Sequence, residues 1–67
     1  MTNKKFVLSC YPEAICDVTE LNNGKLYCVF QNNLTNKILG YSEYSSTIAW
    51  RSASIYLREL MLEKLES

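Results

Sequence analysis

The stretch that decides the fold is TIAWRSASIYLRELMLEKL, residues 47–65. It contains no Gly or Pro and is rich in Ala, Leu, Glu and Arg, which are good helix formers. Ser45 or Ser46 precedes it and can act as the N-cap, because a serine hydroxyl accepts a hydrogen bond from a free backbone N–H of the first turn. The sequence therefore predicts a long C-terminal helix over about residues 46–65.

Apolar residues occupy two sides of this predicted helix. At about 100° per residue, one broad stripe forms the side that packs on the rest of the domain. This core stripe comprises Ala49, Trp50, Ala53, Tyr56, Leu57, Leu60 and Met61. A second row recurs every seven residues on the nearly opposite side and consists of Ile48, Ile55 and Leu62, with Arg51 and Arg58 beside it. Since one sheet covers one side of a helix, we expect the second row to stay exposed in a monomer.

The residues before the helix predict strands joined by turns. Residues 5–11, 14–21, 25–31 and 37–42 are the expected strands, and Pro12 ends the first of them. Gly40 should let the last strand bend or approach the helix closely. The predicted fold class is α+β, a three- to four-stranded antiparallel β-meander followed by one C-terminal α-helix packed on the sheet. Residues 1–67 then form a single domain.

The Asn22-Asn23-Gly24 step predicts a tight hairpin turn, because Asn and Gly tolerate positive φ. A two-residue Asn23-Gly24 turn would pair Leu21 with Leu26. A three-residue loop would instead pair Val18 with Cys28, and we prefer it because it separates the two faces of the sheet better. The face that this register leaves open carries Asp17, Thr19, Tyr27 and Val29, with Ile15 and Tyr41 as candidate neighbours.

The sequence contains no residue pattern that supports catalysis or metal binding. The chain has no histidine, and Cys10, Cys16 and Cys28 lack the paired close spacing of zinc sites. A cysteine nucleophile needs a nearby base, which is normally histidine. We therefore expect a protein that is not an enzyme, that uses no cofactor and whose cysteines are reduced thiols.

Size and charge point to protein partners. A 67-residue chain buries only about 60% of the surface that its unfolded form exposes, and such small domains often self-associate. Seven basic and seven acidic residues give zero net charge, which does not favour nucleic acid, and no run approaches the ~20 apolar residues of a membrane span. We predict a small protein-binding module, a homodimer or higher oligomer through the helix, or one whose helix enters another protein's groove. Its predicted partner interface is Ile48, Arg51, Ile55, Arg58 and Leu62.

A looser pattern spans residues 11–57. It consists of Tyr11-Pro12-Glu13-Ala14-Ile15-Cys16, a hairpin, Leu39-Gly40, and Ala49-Trp50-Arg51-Ser52-Ala53. This pattern resembles small accessory proteins of bacteriophages and other mobile elements. The resemblance implies a protein encoded by a phage or plasmid of a bacterial host cell that works by binding, as inhibitors of host defence such as anti-CRISPR proteins do. The reduced cysteines and the lack of an N-terminal signal peptide predict that it is cytoplasmic.

Two alternative functions follow from the same features. Leu39-Gly40-Tyr41 followed by Ala49-Trp50 resembles the strand-to-helix junction of the βββα DNA-binding domains of phage-type integrases and plant ethylene-response regulators, which implies a sheet that enters the major groove. Lys25 and Lys37 are the basic residues this sheet would offer. The other alternative is a sponge for a nucleotide signal, with a pocket between subunits formed by Arg51, Arg58 and Tyr56.

Overall fold

The chain forms a three-stranded antiparallel sheet with two helices on one of its faces. The computed structural model describes residues 2–31 and 38–66. The elements in chain order are α1 (Asn3–Cys10), β1 (Ala14–Leu21), β2 (Gly24–Gln31), β3 (Ile38–Ser42) and α2 (Ser46–Glu66). The strand order is β1-β2-β3, so each strand pairs with its neighbour in the sequence. The predicted α+β class, with a meander followed by a C-terminal helix, is confirmed.

The predicted strand over residues 5–11 is wrong, because these residues belong to helix α1 and the turn that follows it. Thr2 caps the helix: its Oγ1 accepts a hydrogen bond from Lys5 N at 3.2 Å, and its carbonyl accepts one from Phe6 N at 3.0 Å. Val7 is fully buried, and α1 packs against α2. A short apolar run fits a buried helix as well as a strand, so the cap and the docking onto α2 decide.

A tight turn links α1 to the sheet. Tyr11 N donates to Val7 O at 2.8 Å and closes the helix, and Ala14 N then donates to Tyr11 O at 3.0 Å. Pro12 occupies the second position of this four-residue turn, where its fixed φ is favourable. The proline thus lies between a helix and β1, where the sequence indicated the end of a strand.

Neither predicted register of the first hairpin is correct. Leu21 pairs with Gly24, so the loop consists of Asn22 and Asn23, and Gly24 has φ +150 as the first residue of β2. This backbone conformation is open to glycine and strained for other residues. The register pairs Cys16 with Val29 and therefore turns Val29 toward the helices, where it is fully buried.

Close contact between β3 and α2 fixes how the helix lies on the sheet. A Cβ placed on Gly40 would lie 2.8 Å from Ala49 O and 2.8 Å from Ala53 Cα, and closer still to Ala53 N. Ala49 and Ala53 are fully buried at this contact. The prediction that Gly40 lets the strand approach the helix closely is confirmed, and the helix residues at the contact are two alanines of the predicted core stripe.

The hydrophobic core lies between the sheet, α1 and α2. Its buried residues are Val7, Ala14, Val29, Leu39, Ala49, Trp50, Ala53 and Leu57. The predicted core stripe is buried or half-buried from Ala49 to Leu60, but its last residue, Met61, is 45% exposed. Leu65 is 83% exposed, so the last turns of α2 project beyond the elements that cover its earlier turns.

Serine hydroxyls shape the connection into α2. Ser42 is buried, and its Oγ accepts hydrogen bonds from Tyr44 N at 2.9 Å and Ser45 N at 3.4 Å. Ser45 is the N-cap, since its Oγ accepts from Ile48 N at 3.2 Å and its carbonyl from Ala49 N at 3.1 Å. Of the two serines that the sequence offered, the structure selects Ser45.

Candidate functional site

The second apolar row of α2 lies on the surface of the protomer. Ile48 is 43% exposed, Ile55 50% and Leu62 57%. β3 covers one side of α2 and α1 covers the adjacent side, so the remaining side faces solvent. We call these three residues the helix face.

The two predicted interface arginines are both exposed but differ in their surroundings. Arg58 lies on the side of α2 next to α1, with its guanidinium carbon 4.8 Å from the centroid of the Phe6 ring. At an exposed site a cation–π contact of this kind contributes about 0.5–1 kcal/mol. Arg58 therefore joins the rim of the helix face to α1, a link that the sequence did not predict because Phe6 was assigned to a strand.

A second apolar surface covers the side of the sheet that faces away from the helices. The strand register arranges it in rows across the three strands. These rows are Ile15–Phe30–Ile38, Asp17–Cys28–Tyr41 and Thr19–Leu26. We call this surface the outer sheet face. Ile15 and Tyr41 were correctly predicted to lie on an open face, but Tyr27 and Val29 lie on the opposite side because the true register differs from the preferred one.

The outer sheet face is almost without charge. Among its described residues Asp17 is the one acidic residue and none is basic, and the Asp17 carboxylate accepts a hydrogen bond from Val18 N at 2.9 Å. Lys25 pairs with Glu20 at the hairpin end and belongs to the other side of the strand alternation, while Lys37 lies outside the described residues. A sheet that enters a DNA groove needs clustered cations, so this surface gives the nucleic-acid alternative no support.

The residues named for a nucleotide pocket do not converge within a protomer. Arg51 and Tyr56 are five residues apart on α2, which places them about 140° apart around the helix. Tyr56 packs against the core, whereas Arg51 is exposed. An open depression of about 600 Å³ does lie where the first turns of α1 and α2 meet, and there Lys4 Nζ is 5.7 Å from the centroid of the Trp50 ring.

The three cysteines are free, half-buried thiols. Cys16 and Cys28 sit on adjacent strands, but the register directs them to opposite faces of the sheet. A disulfide between them would require both side chains on one face. Burial raises the pKa of the Cys16 thiol above its ordinary value, and the nearby Cys28 and Asp17 raise it further.

Within residues 2–31 and 38–66, no three His, Cys, Asp or Glu side chains come together in a way that could hold a metal ion. Neither helix, over its described part, is long and apolar enough to cross a membrane. The features that this part of the chain offers a partner are two uncovered apolar surfaces, the helix face and the outer sheet face.

Comparison of the chain with known protein families, with curated proteins and with solved structures finds no match.

Proposed function

We propose that the protein is a small, non-enzymatic protein-binding module that forms a homodimer through the helix face. The observation that supports this most directly is the alignment of Ile48, Ile55 and Leu62, about half exposed each, on the side of α2 that no other described element covers. Heptad spacing of aliphatic residues beside charged ones is how one helix meets another. Burial of these side chains against a second helix stabilises the dimer by about 25 cal/mol for each Å² of apolar surface removed from water.

The charges beside the row favour a parallel pair of helices. At about 100° per residue, Arg58 and Glu59 flank the Ile48–Ile55–Leu62 row on opposite sides. A two-fold axis parallel to the helices brings one side of each row against the other side of its partner, so Arg58 of one copy lies beside Glu59 of the next. An antiparallel pair would instead bring Arg51 beside Arg58. Such exposed ion pairs contribute about 0.2–1 kcal/mol each, which is enough to select an orientation.

A narrower form of the proposal concerns what the dimer binds. The resemblance of residues 11–57 to phage and mobile-element accessory proteins supports a role in the bacterial cytoplasm. In this role the protein occludes a surface of a host defence complex. The binding mode would need no catalytic group, since occlusion requires shape and apolar area alone.

Light scattering of wild type and Ile55→Glu tests the helix face. Ile55 is the middle residue of the row and is half exposed, so a glutamate there is tolerated by the folded protomer but places a charge in the interface. Tyr44→Glu is the matched control, because Tyr44 is 79% exposed and precedes α2. We expect Ile55→Glu to have a lower mass than both wild type and the control, with an unchanged circular dichroism spectrum. Equal masses for all three proteins would refute the proposal.

A further inference from the structure

The outer sheet face offers a second, independent contact surface. We propose that it binds the same face of a second copy, sheet against sheet, with the two-fold axis parallel to β2 and midway between the two sheets. Its residues were not part of the predicted interface on α2. The inference goes beyond the proposed function and does not depend on the helix face.

The arrangement of rows on this face is what makes it self-complementary. β2 is the central strand, and Cys28 is the central residue of the row Asp17–Cys28–Tyr41. Rotation by 180° about an axis parallel to β2 and midway between the two sheets places β1 of one copy over β3 of the other. The row Ile15–Phe30–Ile38 then packs against the same row of the second copy in the opposite direction, with Ile15 over Ile38 and Phe30 over Phe30. An entirely apolar row thus packs against an apolar row.

The same rotation pairs the polar groups of the face. Asp17 lies on one edge strand, and Tyr41, which is 62% exposed, lies in the same row on the other edge strand. In the two-fold pair each Tyr41 hydroxyl lies over the Asp17 carboxylate of the second copy, to which it can donate a hydrogen bond. The Asp17 carboxylate has capacity for this donor in addition to Val18 N. A two-fold axis across the strands would instead oppose Asp17 to Asp17.

The size of the face suits a second copy of this sheet. With strands about 4.8 Å apart and about 3.3 Å per residue, the two eight-residue strands and the five-residue β3 present a footprint of at most about 14 by 26 Å. Twice this footprint is roughly 700 Å², and side-chain relief raises the buried area toward the approximately 1,000 Å² at which specific interfaces begin. Sheets that pack face to face also keep their strands within about 30° of each other, as this axis requires.

Edge-to-edge pairing through β1 is a weaker way to bring two sheets together. Val18 N on β1 is engaged by the carboxylate of Asp17, and Ala14 N by the carbonyl of Tyr11. These hydrogen bonds occupy donors that an added strand would need, as in other blunted edges. The apolar face is therefore a better contact surface than the edge of the sheet.

The test uses an Ile55→Glu background, in which the helix face is disabled and the sheet face remains. Sedimentation equilibrium of this variant should give a dimer at high micromolar concentration. Adding Tyr41→Glu places a carboxylate opposite Asp17 of the second copy and should shift the protein to monomer. Adding Asp17→Lys to that protein should restore the dimer, because the introduced lysine then faces the introduced glutamate across the axis. Tyr44→Glu in the same background is the control and should leave the dimer intact.

Thiol reactivity gives a second readout, and the variant that reports on Cys28 leaves the outer sheet face unchanged. In a Cys10→Ser, Cys16→Ser variant, Cys28 is the one thiol and lies at the centre of the contact. Its labelling by a maleimide should slow several-fold as the protein concentration rises. In a Cys10→Ser, Cys28→Ser variant, Cys16 faces the helices, and its labelling should not depend on concentration.

The outcomes for the two surfaces are separable. An Ile55→Glu protein that is monomeric at high concentration, with Cys28 labelled at a concentration-independent rate, would overturn the sheet-face proposal and leave the helix face untouched. A dimer that persists in the Tyr41→Glu protein would overturn it equally. If the helix-face proposal fails instead, wild type and Ile55→Glu have equal masses and the Tyr41→Glu response remains.

Discussion

Replacement of Gly40 by alanine tests the contact that positions α2 on the sheet. The added Cβ would lie 2.8 Å from Ala49 O and from Ala53 Cα, and nearer still to Ala53 N. Non-bonded heavy atoms are normally separated by about 3.5 Å or more, so the strand and the helix must move apart by at least about 0.7 Å. All three neighbouring atoms belong to the backbone, so no side-chain rotation can relieve the clash.

The cost should lie in the upper half of the range for overpacked cores, which is about 1–3 kcal/mol. We expect a loss of about 2–3 kcal/mol. At roughly 0.05–0.15 kcal/mol per residue the whole domain has only about 3–10 kcal/mol of stability, so the change removes a large part of it. The melting temperature should fall by about 10–20 °C, since 1 kcal/mol corresponds to about 4–8 °C in a domain of this size.

Urea unfolding followed by the fluorescence of Trp50 measures this loss directly, because Trp50 is the single tryptophan and is 8% exposed in the core. Glu20→Ala, an exposed change on β1 away from the outer sheet face, is the control for alanine in a strand. Ala53→Gly should not rescue Gly40→Ala, since the clashing atoms of Ala53 are backbone atoms. A loss within about 0.5 kcal/mol of the control, or rescue by Ala53→Gly, would refute the reasoning.

Two further predictions concern the cap of α2 and the thiol of β1. Ser45→Ala removes the side-chain oxygen that accepts the hydrogen bond of Ile48 N and should lower the free energy of unfolding by about 1 kcal/mol. Ser46→Ala is the control and should change this free energy by less than about 0.5 kcal/mol. Equal effects of the two substitutions in urea titrations would contradict the assignment of Ser45 as the cap. Because burial raises the pKa of Cys16, the fold favours the neutral thiol, so stability is full below the ordinary thiol pKa of about 8.5 and falls as pH rises through the higher folded value. Cys16→Ala should reduce this alkaline loss in melts between about pH 8 and 10, and an unchanged pH profile would show that Cys16 is not its source.

The contrast between the two helices shows how much local pattern can decide. α2 has a serine cap, no Gly or Pro and an apolar stripe long enough to identify a helix, so its start at Ser46 was predictable. α1 has eight residues, too few for a period of 3.6 to be distinguished from an apolar strand. Its Thr2 cap was a usable signal, but the β-formers Phe6 and Val7 pointed the other way.

Of the two candidate surfaces, the helix face was predictable from the sequence and the outer sheet face was not. Exposure of Ile48, Ile55 and Leu62 followed from the helix period, because a helix side is set by residue number alone. The outer sheet face did not follow, because a shift of one residue in the hairpin register exchanges the two faces of β2. Asn22, Asn23 and Gly24 each tolerate turn conformations, so more than one loop was compatible with the same residues.

By itself, the sequence determined the long helix and its two apolar sides and limited the helix cap to Ser45 or Ser46, since each depends on residues near one another in the chain. The tertiary structure alone decided that residues 3–10 are helical, that Val29 points inward and that Phe6 meets Arg58. These outcomes depend on packing between segments distant in sequence, where burial outweighs the small differences in local propensity.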